Sequence, residues 1–354
     1  MADFSGIRFE DHLITGSGPL LDSAGRLREP GYAFLPPFEY NREAIAAPAW
    51  RIKDWDYYLV NDGDYALCLT FGDLGYMGLV SASLIEFAAG RFTTTSEMIP
   101  LPLGKMNLPR SSSAGAIHWK NLRASVDWTT TSAGRRLSFS MRRFKGTADL
   151  EAELWLDQAP RDSMVIATPW AEDDTAFYYN RKVIGMRAQG GFRVGALFHE
   201  FEAREALGLL DWGRGVWTYD NTWYWAAAQG RQGGHVVGMN LGYGFGDTSR
   251  ASENMVFVDG VAHKLGLVDF GIPVGTDGTY RYLDPWHVTD DKGRLDLAFA
   301  TDIDRTDHVD LGNLIVSEQH QVFGRFSGTI VLDDGSKLEV RELRGSAEHI
   351  HNQY

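Results

Sequence analysis

Residues 254–268 read N-M-V-F-V-D-G-V-A-H-K-L-G-L-V. Two runs rich in β-branched and apolar residues, 254–258 and 261–268, flank the dipeptide Asp259-Gly260. Both central residues of a type I′ turn need positive φ, which Asp-Gly tolerates, so this stretch predicts an antiparallel hairpin. The same punctuation recurs at Asp62-Gly63, Asp277-Gly278 and Asp334-Gly335. A second hairpin is predicted from 326–332 and 337–340 around Asp333-Asp334-Gly335. Period-two alternation marks 116–128, 136–144 and 149–156, and in the last it puts Leu150, Ala152, Leu154 and Leu156 on one face. The 39 glycines fall largely in short turns between such runs. The chain reads as an all-β antiparallel protein.

At 354 residues it exceeds what one ordinary core fills. A polar, proline-containing break at 158–163 (Q-A-P-R-D-S) suggests two units, 1–160 and 161–354. No fixed-period repeat is present, so two barrels or strongly curved sheets fit better than a propeller. Residues 15–48 read as an irregular arm belonging to the first unit. Residues 100–113 form a long loop, either a functional lid or a connector. One short helix is expected at 200–210 (E-F-E-A-R-E-A-L-G-L-L).

Hydrophobic residues at 44% and charged residues at 23% are those of a soluble globular protein. No apolar run approaches the roughly 18 residues of a membrane span. The start, Met1-Ala2-Asp3-Phe4, lacks a basic segment followed by an apolar one, so no secretion signal is expected and a cytoplasmic location of bacterial type is. Net charge is −13 with scattered basic residues, which argues against nucleic acid and anionic membranes as partners. Cys68 stands alone, excluding an internal disulfide and CxxC motifs.

Function is best sought in 211–229, D-W-G-R-G-V-W-T-Y-D-N-T-W-Y-W-A-A-A-Q, which holds four of the 11 tryptophans. Trp212, Trp217, Trp223 and Trp225, with Tyr219, would surround Asp211 and Arg214. Ionisable groups held among indoles have shifted pKa values, and ring faces steady positive charge. In a strand over 222–229, Trp223, Trp225, Ala227 and Gln229 share one face. The bland alternative is a barrel-closing cluster with Arg214 paired to Asp211. A second group is Gly242-Tyr-Gly-Phe-Gly246-Asp247 with Glu253 and Asn254. These glycines lack the strand–helix context of a phosphate loop and read as bulges or close backbone approach. Asp247 and Glu253 are candidate carboxylates at a barrel mouth, each with a structural reading beside it. Trp286-His287, His263 and His320 supply proton shuttles in type. His199-Glu200 has no second histidine at a metal-ligand offset, and His349 and His351 lie near a fraying end. No G-x-S-x-G elbow, Walker loop or cysteine nucleophile occurs.

The runs 209–225 (L-L-D-W-G-R-G-V-W-T-Y…W-Y-W), 240–247, 253–260 and 320–328 resemble the signature of a bacterial family defined as a domain of unknown function. More distantly, Trp212-Gly213 and 223–225 resemble the tocopherol cyclase and hydroxyneurosporene synthase (carotenoid hydratase) group, with different spacing. That resemblance implies two lipocalin-like barrels and cofactor-free acid–base chemistry on isoprenoid double bonds.

Together these readings give two lipocalin-like barrels side by side with a tryptophan-lined pocket, binding a hydrophobic small molecule without metal or cofactor. The expected reaction is hydration, cyclisation or isomerisation. Asp211 or Glu253 would be the acid, Arg214 would orient it or bind a substrate oxygen, and His287 or His320 would return the proton. Trp212, Trp217, Tyr219, Trp223, Trp225, Asn240, Asp247, Asn254 and Trp286 would line the pocket. A lipophile carrier is the rival reading, and a glycosidase with a carboxylate pair the third.

Overall fold

The computed structural model describes Phe4, residues 9–158, 160–310, Gly312 and 316–353. The predicted hairpins form. Met255–Val258 pairs with Val261–Lys264, and φ is +49° at Asp259 and +79° at Gly260, as a type I′ turn requires. Val331 pairs with Lys337 across the Asp333–Gly335 turn. The chain is all-β, and among the described residues helix is confined to short 3₁₀ turns at Arg42–Ala44, Phe87–Ala89 and Thr248–Arg250.

Two curled antiparallel sheets carry the structure. The first runs, in order, Arg91–Pro100, Met77–Glu86, Tyr65–Asp73, Lys53–Asn61, Leu207–Val216, Phe177–Val194, Ala148–Asp157, Gly134–Lys145, Ala124–Thr130 and Gly115–Lys120. It curls until Thr95 Oγ1 donates to Phe144 O at 2.7 Å, tying strand Arg91–Pro100 to Gly134–Lys145. The second sheet runs from Val261–Lys264 through Met255–Val258, His235–Tyr243, Asp220–Gln232, Lys337–Gln353, Val316–Val331 and Leu295–Asp310 to Trp286–Asp290 and Val268–Asp269. Sheet membership therefore changes between Val216 and Asp220. The polar break at 158–163 does not separate the sheets, because Met164–Pro169 pairs with Phe177–Val194 and with the arm at Gly31–Ala33.

The helix expected at 200–210 is absent. Leu197–Phe201 is a strand, residues 203–205 turn, and Leu207 opens the next strand. The misleading signal is a strand buried on both faces: Leu207, Leu209 and Leu210 are each at most 2% exposed, so apolar residues run continuously and mimic helical spacing.

Each half-barrel has its own core, and a third core lies between them. Leu137, Leu154, Tyr58 and Trp212 fill the first; Phe270, Trp286, Phe299 and Val322 fill the second. Tyr178, Leu209, Trp217, Trp225 and Phe323 pack between the sheets. Strand alternation makes the division. Tyr58 and Val60 point into the first half-barrel, while Tyr57 and Leu59 point across to the second sheet.

Candidate functional site

The intersheet face of strands Phe177–Val194 and Leu207–Val216 carries Asn180, Lys182 and Asp211. Lys182 and Asp211 are register partners. Lys182 Nζ donates to Asp211 Oδ2 at 2.8 Å, and Asn180 Nδ2 donates to Asp211 Oδ1 at 2.6 Å and to Trp212 O at 2.9 Å. From the second sheet, the Trp225 indole meets the same ammonium at 4.1 Å from the ring centroid. Trp225 Nε1 donates to Asn240 Oδ1 at 2.8 Å, and Asn240 Nδ2 to Glu253 Oε2 at 3.0 Å. Glu253 Oε2 lies 4.0 Å from Lys182 Nζ.

Glu348 is the cross-strand neighbour of Trp225. Gln321 Nε2 donates to its Oε1 at 2.5 Å, and Arg305 Nε donates to Gln321 Oε1 at 2.9 Å. Arg305 Nη1 reaches the first sheet, donating to Ser83 Oγ at 3.1 Å. Burial pushes the Glu348 carboxyl up to about 7, and Lys182 and Arg305 only partly offset it. Burial also raises Glu253, against the pull of Lys182. Tyr57 and Tyr178 are held well above the usual phenol range by the same loss of solvent. The Tyr57 hydroxyl is buried with no hydrogen-bond partner among the described residues.

Aromatic rings frame this cluster. Trp55 stacks on Tyr178 at 5.5 Å and meets Trp217 edge-on at 5.2 Å. Phe245 sits among Tyr178, Trp217 and Trp223 at 5.0, 5.4 and 5.3 Å. Two glycines make room. A Cβ at Gly213 would collide with the Trp55 indole, and one at Gly242 with the Glu253 carboxylate. The close backbone approach expected of the Gly242–Gly246 run is therefore spent on seating Glu253.

Of the residues expected from sequence, Asp211, Trp217, Trp223, Trp225, Asn240 and Glu253 come together here. The others do not. Trp212 and Arg214 lie on the opposite face of their strand, inside the first half-barrel, because successive side chains alternate. Arg214 is not paired to Asp211. Its Nη2 donates to Asp56 Oδ1 at 2.8 Å and Pro109 O at 2.9 Å, and its Nη1 to the carbonyls of Trp55 and Gly213. The tryptophans consequently do not line one hollow, and Trp217 and Trp223 pack edge-to-face on Phe245.

His287 is exposed and bonded to Asp296 at 2.7 Å. His320 bonds Asp304 at 2.8 Å and stacks on Tyr282 at 3.8 Å. Trp286 is buried in the second core, donating to Tyr282 O. Asp247 caps the 3₁₀ turn Thr248–Arg250 through Ser249 N. Asn254 ties Gly242 N to Gly266 O, and Tyr219 is 52% exposed.

Lys182, Glu348, Asn180, Tyr57, Tyr178, Arg305 and Gln321 were not expected. For Lys182 a signal exists: N-R-K interrupts the apolar run 177–185, and charges inside a strand buried on both faces need partners. Glu348 carries no comparable signal.

Among solved structures, the fold is similar to a protein of Nitrosomonas europaea assigned as AttH. The TM-score is 0.52 at 10% identity, covering 89% of this chain and 96% of that one. It is also similar to CghA, whose structure was solved with Sch210972, at TM-score 0.50 and 9% identity, covering 85% and 88%. Kievitone hydratase from Nectria haematococca gives 0.47 at 9%, covering 89% and 93%. These likenesses concern the fold. No curated protein matches the chain in sequence. No described helix is long and apolar enough to cross a membrane. The family model named Domain of unknown function (DUF2804) matches residues 11–354, and the chain belongs to that family.

Proposed function

We propose that this protein is an enzyme that acts by acid–base chemistry on a hydrophobic small molecule, by hydration, cyclisation or isomerisation. One observation carries the reading. Three carboxyl groups, Asp211, Glu253 and Glu348, gather about one lysine in an aromatic setting that cannot support all of them ionised. A carboxyl near 7 keeps its proton in about half of the molecules at neutral pH and can deliver it, which makes Glu348 the candidate general acid. Asp211, fixed by Lys182 and Asn180, is the group to take a proton back or hold water. The part-buried faces of Trp55, Tyr57, Trp223 and Phe245 border the cluster and would meet a cationic intermediate. Arg214, His287 and His320 have no part in this reading, since each is engaged elsewhere.

A pocket lined only by aliphatic and aromatic atoms would favour the carrier reading, and the intersheet cluster, with its ionisable groups, is not one. The glycosidase reading calls for two carboxylates facing each other across an open cleft, whereas Asp211 and Glu253 share a lysine. The test is turnover of polyene, enone and polycyclic substrates by the purified protein and by Glu348→Gln. The variant should lose about 10²-fold or more in kcat while still binding substrate. Unchanged kcat would remove Glu348 as the acid, and no turnover of any compound by the native chain would favour the carrier.

A further inference from the structure

A cavity of about 550 Å³ opens at the mouth of the first half-barrel, behind the sheet from the Lys182 cluster. Its apolar wall includes Leu20, Leu21, Phe38 and Trp212, and its polar wall is Arg181 with Ser111, Ser112 and Ser113. This volume is ordinary for a small-molecule site.

The polar wall is unusual in its charge. Arg181 is 4% exposed. Its Nε donates to Ser163 Oγ at 3.0 Å, and its Nη1 to Ser113 Oγ at 2.8 Å and Ser112 Oγ at 3.3 Å. Behind it, Arg135 is 1% exposed and donates from Nη2 to Ser112 O at 2.7 Å. Arg135 Nε and Nη1 are buried and find no hydrogen-bond partner among the described residues. Neither guanidinium forms an ion pair among the described residues. Asp56, whose ionisation Arg135 favours, is already held by Arg214. Burial and the neighbouring Arg135 bring Arg181 down to about 10, so it stays charged at neutral pH. Two buried cations with no direct ion pair are costly unless an anion joins them.

The serines complete a seat for that anion. The hydroxyls of Ser112 and Ser113 accept from Arg181, and that of Ser111 accepts from Ser113 N. None of the three donates among the described residues, so three O–H groups remain to be given. The loop is built to hold them. Buried Asp73 accepts from Gly104 N and Met106 N, Arg214 grips Pro109 O, and Leu101, Leu103 and Asn107 adopt positive φ. At the rim stand Glu39 and Arg110, the latter paired to Glu43 at 2.9 Å, so one carboxylate there is not offset by Arg110.

We infer that this cavity binds an amphipathic carboxylic acid, its carboxylate on Arg181 and the Ser111–Ser113 hydroxyls and its apolar body against Leu20, Leu21, Phe38 and Trp212. The guanidinium's planar fork suits a carboxylate. The site is separate from the intersheet cluster, since Asp211 and Trp212 point to opposite faces of one strand.

Calorimetric titration of the full chain with dodecanoate and with dodecanol tests this. Dodecanoate should bind about tenfold or more tightly than the alcohol, the difference expected of a charge-assisted seat. Arg181→Gln should erase that preference. Ser111→Trp, an exposed rim position, should block both ligands even if Arg181→Gln fails to fold. Glu348→Gln should leave binding unchanged, which separates this site from the proposed catalytic one. No binding of dodecanoate, equal binding of the alcohol, or binding that survives Ser111→Trp overturns the inference.

Discussion

The two faces of strand Leu207–Val216 carry two buried charge clusters that differ in how well they are neutralised. On the inner face, Arg214 has no exposed surface and spends its donors on Asp56, two strand carbonyls and Pro109 O. Asp54 beside it accepts from Tyr40 at 2.5 Å and pairs with Arg42. Both carboxylates of that cluster are directly paired, only Arg214 Nε lacks a hydrogen-bond partner among the described residues, and the geometry ties the arm, the 101–114 loop and the sheet together. On the intersheet face, the Lys182 ammonium and the Arg305 guanidinium face three carboxyl groups, and two of these, Glu253 and Glu348, are pushed upward by burial. Guanidinium forks that meet carboxylates directly fix structure, whereas cations outnumbered by carboxyls leave protons in play. The contrast sets a firmly paired cluster on one face against the proposed catalytic cluster on the other.

If that contrast is right, the largest stability loss follows Arg214→Met. It strands Asp56 in the first half-barrel, while Asp54 keeps Tyr40 and Arg42, and we expect a cost of about 3–5 kcal/mol by urea denaturation, as for other broken buried pairs. A loss under about 1 kcal/mol would show that water reaches this face.

Next in size is a pH effect at Glu348. Its folded pKa of about 7 exceeds the ordinary 4.5, so between these values the folded protein keeps a proton that the unfolded chain releases. Stability therefore falls as pH rises from about 4.5 to 7 and levels off above, by at most roughly 3 kcal/mol from this group. Glu253 is raised as well and adds to the fall. Glu348→Gln should flatten most of the slope between pH 5 and 7 in denaturation curves. An unchanged slope would mean that Glu348 is ionised in the native state.

The smallest effect is expected at His287, which pairs with Asp296 while both side chains are mostly exposed. His287→Ala should change stability by less than about 0.5 kcal/mol and leave turnover intact. A large loss of activity would bring the far end of the second sheet into the mechanism.

Much of the fold could be read from residue pattern. Asp-Gly turns and period-two runs are local signals, so the hairpins at 254–268 and 326–340 and the inward face of 149–156 were legible. The helix at 200–210 was misread because both faces of the following strand are buried, and a continuous apolar run has no period to recognise. The site was half legible. Trp223 and Trp225, two residues apart on one strand, could be placed on a common face, and both lie between the sheets. Asp211, Trp212 and Arg214 looked like one group because they are adjacent, yet a strand sends neighbours to opposite sides.

By itself, then, the sequence determined the all-β class, the turns and which residues alternate along each strand, since these depend on φ preference and side-chain periodicity within a few residues. Only the tertiary structure decided that Lys182, Asp211, Glu253 and Glu348 meet, and that Arg135 and Arg181 are buried with no direct ion pair among the described residues. Those encounters join strands up to about 170 residues apart in the chain, from Lys182 to Glu348. They depend on how two sheets curl and pack, a property no local stretch encodes.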